Sequence, residues 1–364
     1  MIKRIVLAAA VSACFAAPAF AEVSIGGSAE MDLFYRTNNT ADGDGKFLEE
    51  IAITVNIDGS DKLDSGNTLK WRLAQKVATD WRFDSWGARE AWIGYAGDWG
   101  ELRFGNQFSN VYLTEDWPYG WKGQGGLFAE PPVQGFASGI TYASPNFSGF
   151  SFNLGYDLGA GGIDGAAFEV AGHYANGGLA IDAGYVSTID ATSGGAGGNH
   201  GYSLAYQDGT DIGHWMVGAR YTFDNGFNVT GAFKRQFADR SEATAAGGWT
   251  SYDQDTYLIR GAYNFGKHGL ALGYQMIADA DTSGGDIDNG VQQIAFQWDY
   301  ALSKNTGAFL QIRHNMLDGD KAVNNPNAGP FWYNLDGLST VAGDSGNFVE
   351  DNSTRILIGT WTGF

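Results

Sequence analysis

The sequence predicts an all-β fold: a transmembrane antiparallel β-barrel of about sixteen strands, with short turns on one rim and long loops on the other. Three observations carry this expectation. Apolar and polar side chains alternate with period two through almost all of the chain after residue 21, which is strand behaviour because successive side chains point to opposite faces. The connections alternate between tight turns and long stretches rich in Gly and Asp. The final stretch STRILIGTWTGF, Ser353 to Phe364, keeps the alternation up to an aromatic end, where most domains let their termini fray.

Residues 1 to 21 read as a signal peptide and residues 22 to 364 as the barrel. Lys3 and Arg4 precede an apolar run from Ile5 to Ala13, and Ala19-Phe20-Ala21 supplies small residues where a signal peptidase cuts. A cut before Cys14, of the lipoprotein kind, would leave an apolar tail ahead of the first strand, so the Ala21 site is the better reading. It removes the single cysteine, and with it disulfides, thiolate metal sites and cysteine nucleophiles. Loss of Lys3 and Arg4 takes the formal charge from −19 to −21, which excludes nucleic acid as a partner. No further apolar run reaches the ~18 residues a membrane helix needs. The 54 Gly, 17 Tyr, 23 Phe and 12 Trp against 7 Pro describe a β-rich chain with many turns. A mean hydropathy of −0.22 looks soluble, but averaging cancels a lipid face against a water face.

In the first strand Val23, Ile25, Met31, Leu33 and Tyr35 alternate with Ser24, Ser28, Glu30, Asp32 and Arg36. In the second, Ile51, Ile53, Val55 and Ile57 alternate with Glu50, Thr54, Asn56 and Asp58, and in the third Leu69, Trp71, Leu73 and Val77 alternate with Lys70, Arg72, Ala74 and Lys76. Further strands are expected near 86–96, 99–107, 137–144, 149–158, 165–175, 178–188, 213–224, 226–237, 252–264, 267–278, 289–301, 305–316 and 353–364. Tyr202 to Tyr206 is assigned to a loop, because a single-chain barrel closes on an even number. Tight turns at Gly97-Asp98, Asn176-Gly177 and Asp224-Asn225-Gly226 have the residues such turns require. Long loops lie at 108–136, 189–212, 238–251 and 317–352. Pairing of the first strand with the last would remove the sheet edge, whose unsatisfied backbone groups would each cost several kcal/mol in hydrocarbon.

Three blocks make the chain resemble the general porin family of Gram-negative outer membranes: REAWIGYAGDWGELRFGNQ from Arg89, GITYASPNFSGFSFNLGY from Gly139, and the strand closing on Phe364. The resemblance implies a water-filled channel in the cell outer membrane, passive diffusion of small hydrophilic solutes and ions, and a homotrimer. It also implies contact with lipid and lipopolysaccharide, barrel-assembly machinery that recognises the last strand, and a third loop folded inward against basic wall residues. The chain departs from the family pattern at Gly105-Asn106-Gln107, where a pore arginine is expected, at Thr141, where a basic residue is common, and at Thr362, where an aromatic is usual.

Fixed charge at a narrow point selects among ions, and the radius there limits solute size. Arg36, Lys70, Arg72, Arg89 and Arg355 have inward parity and form the expected basic side of the constriction. Glu115, Asp116 and Glu130, on the 107–134 stretch, form the acidic side. The tryptophans of the first third, Trp71, Trp81, Trp86, Trp92 and Trp99, read as interfacial girdle. Trp117 and Trp121 are the candidates for stacking on a solute, the mark of a channel specific for an anion or a sugar. Asp279-Ala-Asp281-Thr-Ser283-Gly284 opens like a calcium loop, but Gly290 stands where the bidentate glutamate belongs, so no metal is expected. The five histidines have no nucleophile at motif spacing, so no enzyme, catalytic residue or cofactor is expected. A barrel enzyme or adhesin is the reading from another class.

Overall fold

The computed structural model describes residues 22–38, 44–79, 82–120, 126–158, 166–189, 210–240, 248–318, 330–331, 333, 335 and 350–364. Among these, two strand segments are only two residues long, Arg82–Phe83 and Asp281–Thr282. The others are β1 (Glu22–Arg36), β2 (Lys46–Lys62), β3 (Thr68–Ala78), β4 (Glu90–Gly97), β5 (Gly100–Phe108), β6 (Gly135–Ala143), β7 (Phe150–Asp157) and β8 (Ala166–Asn176). They continue with β9 (Leu179–Ile189), β10 (Thr210–Thr222), β11 (Phe227–Arg240), β12 (Ser251–Phe265), β13 (His268–Ile277), β14 (Val291–Ala301), β15 (Thr306–Leu317) and β16 (Asn352–Gly363). Each expected strand is present, every neighbouring pair is antiparallel, and the sheet closes on itself.

The seam joins β1 to β16 in register from Ser28↔Gly363 to Arg36↔Arg355. Phe364 extends the ladder: its N–H donates to Gly27 O at 3.1 Å, and the Gly27 N–H donates to Phe364 O at 2.9 Å. The aromatic terminus is thus a ladder member, as its alternation predicts. Outward positions are apolar and exposed, as at Ile25, Ile93, Leu272 and Ile358. A surface of this kind is stable only against lipid. Polar side chains such as Gln254, Gln275, Gln293 and Gln311 face inward, on the side of the sheet that a soluble sandwich would pack with apolar groups.

Among the described residues three inward regions are apolar. One of them packs Val111, Tyr119, Phe128 and Phe136, from the segment between β5 and β6 and the start of β6, against Ala171, Val186, Met216 and Leu258. Toward the long-loop rim, Phe331, Tyr333 and Leu335, from the segment ahead of β16, bury against Tyr252, Ile277 and Val291. The Tyr333 hydroxyl donates to Gln236 Oε1 at 3.1 Å, and Asn315 Nδ2 donates to Leu335 O at 2.9 Å. At the seam, Phe34, Phe309 and Leu357 form a smaller cluster. The tryptophans divide between the two faces. Trp99 lies between Tyr95 and Tyr142 with ring centroids 6.3 and 6.2 Å away, in the manner of a girdle. Trp92 instead turns inward, with the Arg103 guanidinium 4.4 Å from its ring centre. Trp81 and the Tyr202–Tyr206 stretch lie outside the described residues.

Candidate functional site

The segment between β5 and β6 enters the lumen and is held against the β8–β13 wall. No helical period is visible in the sequence there, yet a short helix, α1 (Asn110–Thr114), forms, followed by a π-turn over Glu115–Tyr119 that contains Pro118. Five residues are too few to display a period. The Ser109 side chain caps α1 by accepting the Tyr112 N–H at 3.2 Å. The Glu169 carboxylate, from β8, accepts Ser109 Oγ at 2.6 Å, Asn110 N–H at 3.1 Å and Val111 N–H at 3.3 Å. A negative charge is well placed against these free N–H groups.

Two glycines make the close approach possible. A Cβ on Gly184 would lie 2.8 Å from Val111 Cγ1, and one on Gly218 would lie 2.4 Å from the Tyr119 ring. Beyond them the loop is pinned by charge. Arg260 donates to Tyr119 O at 3.1 Å and to Pro118 O at 2.9 Å. The Tyr119 hydroxyl donates to Asp182 Oδ2 at 2.8 Å. Glu115 is fully enclosed, 2.8 Å from His214 Nε2 and 3.4 Å from Lys234 Nζ. Burial by itself would raise the Glu115 carboxyl, but His214 and Lys234 outweigh it and hold the group below the usual carboxylate range.

The opposite side of the loop faces a cavity of about 410 Å³, bounded across from it by β15, β16 and β1. From the loop Tyr112, Asp116, Trp117 and Glu130 line it, and from the wall Arg313, Arg355, Phe309 and Trp361. Burial pushes the Asp116 carboxyl above its usual range, against the pull of Arg89 and Lys76 and a hydrogen bond from Tyr112. Trp117 is 60% exposed.

The expected site residues therefore separate. Asp116, Glu130, Trp117 and Arg355 meet around the cavity. Glu115 points the other way, into the loop's anchor. Arg72 is held by Asp58 at 2.7 Å and Glu90 at 3.3 Å, and Lys70 by Glu101 at 2.7 Å. These two wall cations are neutralised locally. Arg89 stands one residue ahead of β4, its guanidinium 4.8 Å from the Phe108 ring centre. Arg36 lies 4.6 Å from the Phe34 ring centre. Trp121 lies outside the described residues.

Sequence reasoning missed Arg313, Lys76 and Lys234. Arg313 shares its face of β15 with Phe309, Gln311 and Asn315 and alternates with Leu310, Ile312 and His314, so its parity was readable. Around Asp279–Gly290 the chain makes an ordinary turn in which Asp279 Oδ1 accepts the Gly290 N–H at 2.8 Å. Among the described residues, no three His, Cys, Asp or Glu side chains converge as metal ligands would.

A closed, lipid-facing barrel with a polar lumen and an inward loop is channel architecture, and the family model for Gram-negative porins matches residues 7–320. The chain belongs to the Gram-negative porin family. It is an outer-membrane channel and not an enzyme, since the family and its structural neighbours are channels. It is 25% identical over 321 residues to a chitoporin of Vibrio furnissii, covering 78% of this chain and 85% of that protein. It is 24% identical over 270 residues to the major outer membrane protein P.IB of Neisseria meningitidis, covering 72% and 76%. Among solved structures it resembles the anion-selective porin of Comamonas acidovorans, with a TM-score of 0.67, 19% identity and coverage of 94% and 100%. It also resembles the trimer form of OmpT from Vibrio cholerae, with a TM-score of 0.68, 14% identity and coverage of 94% and 99%.

Proposed function

We propose that the channel passes small hydrophilic solutes and ions by passive diffusion, and that its narrow point is the cavity between the inward loop and the β15–β16–β1 wall. The carrying observation is that both charge signs meet there. Glu30, Asp32, Asp116 and Glu130 line the cavity together with Lys76, Arg313 and Arg355. Near-balance at the narrow point outweighs the acidic surface, because salt screens exposed charges beyond about 8–10 Å. The expected selectivity is weak and mixed. The mature chain begins at Glu22, and the protein assembles as a homotrimer, as the OmpT neighbour does in its trimer form. Its surroundings are lipid and lipopolysaccharide, reached through machinery that reads the strand ending at Phe364.

The test is planar-bilayer recording with the reversal potential taken in a KCl gradient. Steady conductance with a cation-to-anion permeability ratio within about threefold of unity is expected; K⁺ or Cl⁻ preferred tenfold or more would overturn the mixed reading. A second reading, a sugar-specific channel, is favoured by Trp117, exposed at the cavity, with Trp361 on the facing wall, and by the likeness to a chitoporin. Current block by micromolar chito-oligosaccharide would select it.

A further inference from the structure

The seam wall is banded by chemistry along its strands. Register places Lys46, Arg36, Arg355 and Arg313 side by side across β2, β1, β16 and β15. Two residues down each strand, the row reads Leu48, Phe34, Leu357 and Gln311. Two further, it begins with Glu50 and Asp32 and ends on Phe309, and Glu30 with Trp361 follows beneath. All these side chains share the inward parity, and the cavity touches the cationic, apolar and acidic bands at Arg355, Leu357 and Asp32.

Each step of two residues advances about 6.6 Å, so the cationic and acidic bands begin about 13 Å apart at the backbone. An extended tripeptide reaches about 10 Å, and the Arg36 and Arg355 guanidinium groups stand 4.6 and 6.0 Å from the Phe34 ring centre, one step nearer the acidic band. The field runs along the wall, positive toward the long-loop rim and negative toward the turn rim. An apolar strip lies between, with Trp117 facing it from the loop across the cavity.

We propose that this wall is a subsite for zwitterionic solutes with an apolar middle, short peptides above all. The carboxylate end would lie toward Arg355 and Arg313, the ammonium end toward Asp32 and Glu30, and the side chain against Leu357, Phe309 and Trp361. A simple anion or cation gains from one band and is repelled by the other; only a dipole of this length gains from both. The inference rests on the diffusion-channel reading above.

Uptake into proteoliposomes separates the two. Glycyl-leucyl-glycine is compared with its N-acetylated, C-amidated and doubly blocked forms, which carry one negative charge, one positive charge and none. The free peptide is expected to enter at least threefold faster than each blocked form. Arg313→Gln with Arg355→Gln, and separately Glu30→Gln with Asp32→Asn, should each erase that advantage in variants whose circular dichroism shows a folded barrel. Equal rates for the four probes, or an order set by size or by one sign of charge, would overturn the proposal in the unaltered channel alone, with no variant needed. A threefold advantage that survives both double variants would also overturn it. Absence of KCl conductance would instead strike the channel reading itself.

Discussion

The β8–β13 wall and the seam wall carry similar side chains to opposite ends. On the first, Lys234 and Arg260 are buried and spend their hydrogen bonds on loop carbonyls and on Glu115. On the second, Arg355 and Arg313 line the cavity, Arg355 partly exposed and Arg313 reaching it from a buried position. The difference is where the inward loop leans. On the reading proposed above, a lumenal cation covered by the loop is a strut, and one across the cavity from it belongs to the filter. Inward parity alone does not distinguish the two.

The largest expected effect comes from breaking a strut. Lys234→Met leaves the Glu115 carboxylate buried with one partner fewer, a loss of about 3–5 kcal/mol in the loop's seating. It should appear as larger and noisier single-channel currents, with new protease sensitivity between residues 110 and 134. Adding Glu115→Gln should restore most of the quiet state, since an apolar or neutral replacement of both partners is tolerated far better. Because Glu115 titrates below its unfolded value, its stabilisation is complete above that value and fades only as the pH falls through the lower, folded one. The loop should therefore hold through mild acid and loosen only in strong acid.

Gly218→Ala comes next. The added methyl must displace the Tyr119 ring, at a cost of about 1–3 kcal/mol, read as a lower unfolding temperature in detergent. On the seam wall, Arg313→Gln with Arg355→Gln should raise cation over anion permeability several-fold in reversal-potential measurements. Asp116→Asn should move the ratio the other way by a smaller factor. In the unaltered channel, acidification should reproduce that shift starting above the ordinary carboxylate range, because burial raises this group. Arg72→Gln should do least. Asp58 and Glu90 already neutralise its charge, and a shift as large as that from the Arg313 and Arg355 pair would erase the contrast between walls.

The strands and their faces were legible because a barrel wall between lipid and water imposes period two on every crossing segment. Even the closing role of Phe364 followed from alternation. The site was legible only by halves. Glu115 and Asp116 are adjacent, and the π-turn sends one into the anchor and the other into the cavity; no pattern of residue types separates them. Arg72 and Arg355 share inward parity, but their partners come from register with Asp58 and from the position of the loop. Trp92 was read as girdle because a tryptophan near a rim is usually interfacial, whereas here Glu90 accepts its Nε1–H at 3.1 Å inside the lumen. Arg313 was overlooked because its neighbours in the charge row are remote in sequence.

That remoteness matters for how the molecule is made. The Thr354 N–H donates to Thr37 Oγ1 across 317 positions of chain, and contacts of such separation form late and slowly. Until the final strand arrives, Arg36 has no Arg355 beside it. Closure of the seam thus joins the sheet and brings the two halves of the cationic band together, so a barrel left open between β1 and β16 lacks both a sealed wall and the row of cations that the proposed filter uses.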